Sequence, residues 1–493
     1  MRLSDLIRPL FLAEVAGDRN VDIRGIQTDS RHVQPGDLFI ALKGFTVDGH
    51  RYVEQAVNQG AAAVLVQEPV ETSVTRVLVP DTRRAMAVVA AAFYRHPTRE
   101  LKLIGVTGTN GKTTTVHLIQ HILQEQGKKT GIIGTINMRI GEKTYPVRNT
   151  TPDVDELQKS FRMMADAGCH YALIEVSSHA LDLGRTRGCE FRTGVFTNLS
   201  QDHLDYHQTM EKYRDAKGLL FTQLGNRYGD EPTEQPLAVL NADEEASGHF
   251  ARITSAQVIT YGIDRPADVR AENIRYTSNG THFTLHTFKG SVEMSLKMMG
   301  KFSVYNALAA TAVALGEGIS LEDIARALAN MQGVAGRLER VDEGQPFTVL
   351  VDYAHTPDGL ENVLSTITEF AEGRIFCVVG CGGDRDRTKR PIMAKIAAQY
   401  SDVTVITSDN PRTEEPQQIV DDMLEGLCGV PAEKYTVILN RAEAIHHAVK
   451  SAKPGDVVLI AGKGHETYQE VNGVRHDFDD RQVAREAIQQ RKG

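Results

Sequence analysis

The stretch from Leu101 to Thr115, LKLIGVTGTNGKTTT, constrains the fold of this chain more than any other. An apolar run, Leu101 to Val106, leads into a glycine-rich turn, after which Val116, Ile119, Ile122 and Leu123 recur at helical spacing. Strand, loop and helix in that order leave successive backbone N–H groups and a helix N-terminus free to receive a polyphosphate. Lys112 adds positive charge and Thr113 a hydroxyl suited to Mg²⁺, so Gly108, Thr109, Asn110, Gly111, Lys112, Thr113 and Thr114 read as a nucleoside-triphosphate loop. The spacing is GxxGxxGKT, because Val106 holds the place of the first glycine in the general phosphate-loop pattern.

The 493 residues allow about three domains. Charged residues at 24% and hydrophobic ones at 41% are ordinary globular values and exclude wholesale disorder. A net charge of -9 argues against nucleic acid or an anionic membrane as the main partner. Cys169, Cys189, Cys377, Cys381 and Cys428 have no paired ligand spacing and read as buried thiols of a reducing compartment. The start, MRLSDLIRPLFL, lacks the apolar core of a signal peptide, and no apolar run approaches a membrane span; a cytoplasmic location without membrane insertion is expected.

Residues 1–98 read as a small α/β domain: short β-type runs in IRGIQTDSRHVQPGDLFIALKG, an amphipathic helix over Tyr52–Gln59 and the strand AAAVLVQ. Residues 99–334 read as a doubly wound α/β unit, with a strand over Thr130–Thr135, a helix over Asp153–Ala167 and strands in YALIEVSS and GVFTNLS. Glu175, Ser177, His179, Asn198, Asp202 and His203 then fall at strand carboxyl ends, where ligands of such sheets gather. Glu175 suits Mg²⁺, which prefers oxygen, and a helix with Tyr213 and Lys217 follows the polar cluster TNLSQDHLDYH. Val269–Met299 reads as a hairpin about Ser278-Asn279-Gly280, with two helices before a boundary at Gly333–Arg337. Residues 335–493 read as a Rossmann-like unit with strands Thr348–Asp352, Ile375–Gly380, Val403–Ser408, Thr436–Leu439 and Val457–Ala461. The turns YAHTPDG, CGGDRDRTKR, DNPRTEEP and GKGHETYQ would then form one polar rim.

The segments GTNGKTT, NTTPD, EVSSHAL, TNLSQDHLDYH, GKFSVYN, GVAGRLE, DYAHTPD, GCGGDRDRTKRP, SDNPRTEEP and AGKGHE, in this order, resemble the Mur ligase family over the whole chain. The resemblance implies a small N-terminal α/β domain that binds a UDP-substrate (1–98), a central ATP-binding domain (99–334) and a C-terminal amino-acid-binding domain (335–493), in a monomer. It also implies an ATP-dependent amide ligase that phosphorylates a carboxylate and lets an amine attack the acyl phosphate. Lys112 would contact the phosphates, Thr113 and Glu175 would serve a first Mg²⁺ and His203 a second, and Lys217 matches a position that is carbamylated in the family. Asn306 would hold adenine, while Arg337, Asp352 and His355 would reach the nucleotide from the third domain.

Within the family, the motifs resemble those of ligases adding the third residue to UDP-N-acetylmuramoyl-L-alanyl-D-glutamate. That likeness assigns Ser30, Thr150, Thr151, Ser177 and Arg185 to the muramoyl dipeptide, and Arg385, Asp409, Asn410, Pro411, Arg412, Gly462 and Glu466 to meso-diaminopimelate. The paired donors of Arg412 and Arg385 can grip a distal carboxylate that L-lysine lacks. The alternatives are the same ligase using L-lysine, a folylpolyglutamate-type or D-alanyl-D-alanine-adding ligase, and a phosphate-loop switch or kinase that ligates nothing.

Overall fold

The computed structural model describes residues 1–492 except 45, 46, 148, 227, 278 and 279. The N-terminal sheet comprises β1 (Glu14–Ala16), β2 (Gly25–Gln27), β3 (Asp37–Ile40), β4 (Ala63–Val66) and β5 (Thr75–Leu78), in the order β1-β5-β4-β3-β2. Only β1 runs antiparallel to its neighbour. The expected helix forms over Val53–Asn58. Sequence reading missed the helix Thr82–Phe93, which Asp81 caps by accepting the Arg84 N–H at 3.0 Å. It buries Met86, Val89 and Ala90 in a core that also holds Val154 of the next unit.

The second sheet has eleven strands: β6 (Lys102–Thr107), β7 (Thr130–Ile133), β8 (Met138–Ile140), β9 (Lys143–Tyr145), β10 (Tyr171–Glu175), β11 (Phe191–Phe196), β12 (Leu237–Asn241), β13 (Gln257–Gly262), β14 (Val269–Thr277), β15 (Gly280–Thr287) and β16 (Gly290–Leu296). Its order is β16-β15-β14-β13-β12-β11-β6-β10-β7-β8-β9, with the strands from β14 to β7 parallel. Helices Lys112–Glu125, Lys301–Gly316 and Leu321–Asn330 share an apolar core on one face. Helices Val154–Asp166, Met210–Thr222 and Ala246–Ile253 cover the other, so the unit is doubly wound. Strands covered on both faces need continuous apolar runs, as in the fully buried YALIE of β10.

Two expectations need correction. The segment Val269–Met299 is a three-stranded meander rather than one hairpin. Residues 278 and 279 of its expected turn lie outside the described residues, and a second turn at Phe288-Lys289 went unread because the alternation of polarity continues across it. Gly290 has φ 127°, and Thr287 Oγ1 accepts the Lys289 N–H at 3.1 Å. Cysteine burial holds for four residues only, since Cys428 is exposed in the turn after helix Pro416–Leu424. Burial pushes the Cys189, Cys377 and Cys381 thiols up to about 12.

The third sheet runs β17 (Glu339–Arg340), β18 (Thr348–Asp352), β19 (Ile375–Val379), β20 (Val403–Ile406), β21 (Tyr435–Val437) and β22 (Val457–Ala461) in the order β17-β18-β22-β19-β20-β21. The strands from β18 to β21 are parallel, so the four polar turns after β18, β19, β20 and β22 share one edge. The expected strand at 436–439 lies instead at 435–437. An unanticipated hairpin, β23 (Tyr468–Val471) and β24 (Val474–Asp477), reaches the turn after β20, where the Arg412 N–H donates to Glu470 O at 3.0 Å.

Candidate active site

Two glycines set the phosphate loop because no side chain fits where they stand. Gly108 has φ 149°, and a β-carbon on it would lie 1.9 Å from Thr197 Oγ1; on Gly111, at φ 83°, it would lie 2.5 Å from Asn306 Oδ1. The turn after β11 holds the loop: the Thr109 N–H donates to Asn198 O at 2.9 Å and the Asn110 N–H to Asn198 Oδ1 at 2.8 Å. Thr197 Oγ1 donates to Asn110 O at 2.6 Å. Lys112 opens the helix and curls back, donating to Gly108 O at 3.0 Å and Thr109 O at 2.7 Å.

Lys217, 1% exposed, donates to the same Gly108 carbonyl at 2.8 Å, with its ammonium 4.2 Å from the centre of the Tyr213 ring. Burial, followed by the charge of Lys112, holds its pKa well below the ordinary lysine value. Glu175, at the end of β10, accepts from Thr113 Oγ1 at 2.9 Å and from the Thr135 N–H and hydroxyl at 2.9 and 3.0 Å. Thr113 and Glu175 thus present hard oxygen donors beside Lys112, which fits Mg²⁺. His203 lies 3.3 Å from Asp202 and its ring stands edge-on to His179 at 4.7 Å. Burial pushes its pKa down to about 4, leaving a neutral ring. Among the described residues no group of three or more His, Cys, Asp or Glu side chains could hold a metal alone.

A cleft of about 370 Å³ joins the loop from Thr109 to Thr114 with Glu175, His203 and Asn306 and, from the third unit, Arg337, Asp352 and His355. Arg337 crosses to donate to Thr113 Oγ1 at 3.2 Å and stacks over the Tyr353 ring at 4.7 Å. Asp352 accepts the Leu338 and Ala354 N–H groups, each at 2.7 Å, so its carboxylate shapes the turns around Arg337, and burial raises its pKa. Asn306 Oδ1 accepts from Thr115 Oγ1 at 3.1 Å behind Gly111. His355 Nδ1 lies 2.9 Å from Tyr353 O. Sequence reading missed Asp358, whose Oδ2 accepts from Asn110 Nδ2 and Ser200 Oγ, both at 2.8 Å. It lies inside the quoted turn YAHTPDG, but only the fold shows which residue of that turn crosses the cleft.

Thr150, Thr151, Ser177 and Arg185 meet at the carboxyl end of β10. Thr150 Oγ1 lies 3.1 Å from Thr135 Oγ1, Thr151 Oγ1 donates to Glu175 O at 2.8 Å, the Ser177 N–H donates to Thr151 Oγ1 at 3.0 Å, and Arg185 donates to Thr151 O at 3.0 Å. Ser30 stands apart on the N-terminal unit, where it donates to Gln55 Oε1 at 2.9 Å, and it does not line this cleft.

At the third sheet, Arg385 and Arg412 flank Gly382: a β-carbon there would lie 3.8 Å from Arg385 Cγ and 2.8 Å from Arg412 Nη1. Arg385 donates to Asp384 O at 3.0 Å and Arg412 to Gly383 O at 2.6 Å; neither has an ion-pair partner among the described residues. Asn410 donates to Glu466 at 2.8 Å. Lys463, 0% exposed and not anticipated, donates to Asn410 Oδ1 at 3.0 Å and Glu466 Oε2 at 3.1 Å. Nothing in the spacing of AGKGHE separates this lysine from a surface one. Gly462, at φ 117°, makes room for Asp409, whose Oδ2 would lie 2.5 Å from a β-carbon, and a β-carbon on Gly383 would meet Pro411 O at 1.9 Å.

Family models match most of the chain: the Mur ligase middle domain over residues 106–314, the Mur ligase glutamate ligase domain over 336–464 and the Mur ligase family catalytic domain over 22–94. A relative from Bacillus cereus named UDP-N-acetylmuramoyl-L-alanyl-D-glutamate--2,6-diaminopimelate ligase is 53% identical over 488 residues, 99% of this chain and 98% of its own. The chain belongs to the Mur ligase family. A Geobacillus thermodenitrificans relative of the same name is 54% identical over 492 residues, 100% of each chain. A solved structure of a ligase with that name superposes with a TM-score of 0.72 at 34% identity, covering 100% of this Mur ligase and 99% of that chain.

Proposed function

We propose that this Mur ligase joins meso-diaminopimelate to UDP-N-acetylmuramoyl-L-alanyl-D-glutamate at the expense of ATP, in the cytoplasmic synthesis of peptidoglycan precursor. The observation that carries this reading is the full-length match, at 53–54% identity, to ligases of that name. The loop from Gly108 to Thr114 receives the triphosphate, and Lys112 exchanges its two loop carbonyls for phosphate oxygens. Arg337 adds charge from the third unit, Asn306 and His355 border the nucleotide, and Asp352 holds the turns that aim Arg337. Thr113 and Glu175 would hold one Mg²⁺ and His203 and carbamylated Lys217 a second; bound there, the ions neutralise charge on the transferring phosphoryl group.

Burial lowers the pKa of Lys217 and so favours the neutral amine that forms the carbamate: its nitrogen bonds to the carbon of CO₂, a proton leaves, and the product carries an oxygen anion. Thr150, Thr151, Ser177 and Arg185 position the dipeptide, and Ser30 meets the uridine end. The dipeptide carboxylate attacks the γ-phosphorus and ADP leaves. The incoming amine then attacks the acyl carbon, phosphate departs and the amine loses its proton. Closure of the units excludes water that would hydrolyse the acyl phosphate.

Arg385 and Arg412, neither of them ion-paired among the described residues, receive the distal carboxylate of diaminopimelate, while Asn410 and Glu466 bind its amine. Asp409, Pro411 and Gly462 shape the pocket. L-lysine would leave both guanidiniums unmatched, a discrimination of about 10³-fold. Phosphate release with ATP, Mg²⁺ and the dipeptide tests the reading with each amino acid in turn. Release that requires both dipeptide and diaminopimelate is expected; equal turnover with L-lysine would overturn the specificity, and release without any amine would mark an ATPase.

A further inference from the structure

We infer that Asp358 is a positioning residue that latches the third unit onto the phosphate loop, so that closure and loop geometry are coupled. It deepens the proposed ligase reaction and rests on that reading. Asp358 lies in the first turn of helix Pro357–Thr368, whose N-cap Thr356 accepts the Gly359 N–H at 3.2 Å. This cap fixes the helix start, and the carboxylate crosses the cleft from it. One oxygen, Oδ2, accepts from Asn110 Nδ2 in the loop and from Ser200 Oγ in the turn after β11, both at 2.8 Å. Ser200 is itself tied to the loop, since its N–H donates to Thr109 Oγ1 at 3.0 Å.

A second crossing contact lies on the other side of Lys112, from Arg337 to Thr113 Oγ1 at 3.2 Å. The third unit therefore grips the loop at Asn110 and at Thr113, on either side of the lysine. The two arms carry opposite charge. The Arg337 arm can turn toward a phosphate; the Asp358 arm would be repelled by one and can only hold protein donors. Asp358 is thus the arm that keeps the domain contact while Arg337 serves the nucleotide. Asn110 must present its amide for that bond, and a displaced third unit would leave the amide and the Ser200 hydroxyl unpaired.

Asp358→Ala and Asp358→Asn are measured in the full-length protein for amide formation, phosphate release and ADP affinity, after a thermal melt shows that each is folded. Loss of hydrogen bonds to a charged group predicts a fall in kcat/KM for ATP of about 10- to 100-fold. Phosphate release should exceed amide formation, because a poorly latched cleft admits water to the acyl phosphate. A merely structural defect would lower both rates together, and that outcome would overturn the latch.

A double-mutant cycle with Ser200→Ala adds a readout that a general packing loss would not move. The double variant should cost no more than Asp358→Ala alone, and additive losses would overturn the shared bond. X-ray scattering in the presence of ADP should show Asp358→Ala more extended than the wild type, whereas identical curves would count against the latch. Wild-type protein that forms no amide would defeat the ligase reading, while the scattering comparison still judges the latch.

Discussion

At the carboxyl edge of the central sheet, Lys112 and Lys217 both point at the carbonyl of Gly108, at 3.0 and 2.8 Å. At the matching edge of the third sheet, the buried cations already have anions: Lys463 lies on Glu466, Arg441 on Asp480 at 2.7 Å, and Arg390 between Glu414 and Asp422. The first edge is short of negative charge and depends on what binds to it. The second is paired beforehand and stiff, which suits selection among similar amino acids. Arg385, which is exposed, and Arg412, which is half-buried, stand outside this paired set and have no ion-pair partner among the described residues; the proposed reading gives them the ligand carboxylate.

Lys217→Ala probes the charge-starved edge and should have the largest effect. Turnover should fall about 10³- to 10⁴-fold if the lysine carries a metal-holding carbamate. Short carboxylates added to the variant should restore part of the rate, and the wild-type peptide should carry the mass of one carbon dioxide. A variant with near-normal turnover would dissolve the contrast between the edges.

On the paired edge, Asp480→Ala strands Arg441, and both side chains are 0% exposed. Unfolding in urea should show a loss of about 3–5 kcal/mol. A loss below about 1 kcal/mol would mean that this edge is not held by its pairs.

Arg412→Ala separates ligand charge from scaffold charge. The KM for diaminopimelate should rise about 100-fold while that for ATP stays within a factor of about two. An equal rise for both substrates would make Arg412 part of the scaffold.

The smallest effect is a pH slope. Burial pushes His117, His203 and His465 down to about 4, against an ordinary value near 6.5. Between these values the unfolded chain binds more protons than the folded one, so stability rises with pH. The contribution of these three groups is fully present above about 6.5 and is lost as pH falls toward 4. Two of the three belong to the central unit, so His117→Gln with His203→Gln should flatten the melting-temperature slope more than His465→Gln does. The reverse ranking would shift the pH sensitivity to the third unit.

Much of the fold was legible along the chain because parallel strands covered on both faces need unbroken apolar runs. GVF, VLVD and VVLIA each stand at the strand that their composition indicates. The helix Thr82–Phe93 escaped notice although Asp81 caps it, and the meander over Val269–Leu296 was read as a single hairpin. In both cases the signal is local and weak, and the sheet or core that decides the matter comes from elsewhere in the chain. At the site, glycine spacing and the Lys112-Thr113 pair were readable. Lys463 and Asp358 were not, because a single charged residue in a polar turn has no period to betray it.

The amino-acid sequence by itself determined the phosphate loop, the alternation of strands and helices, and the polar turns that end the parallel strands. Each follows from interactions within a few residues: glycine's freedom at positive φ, apolar periodicity and the capping of helix ends. Only the tertiary structure decided that Lys217 lands on the same carbonyl as Lys112, that Asp358 crosses to Asn110, and that Arg385 and Arg412 both lie beside Gly382 with no ion-pair partner among the described residues. Those facts depend on residues 105, 248 and 27 positions apart in the chain, and only packing of whole sheets brings such distant groups to one place.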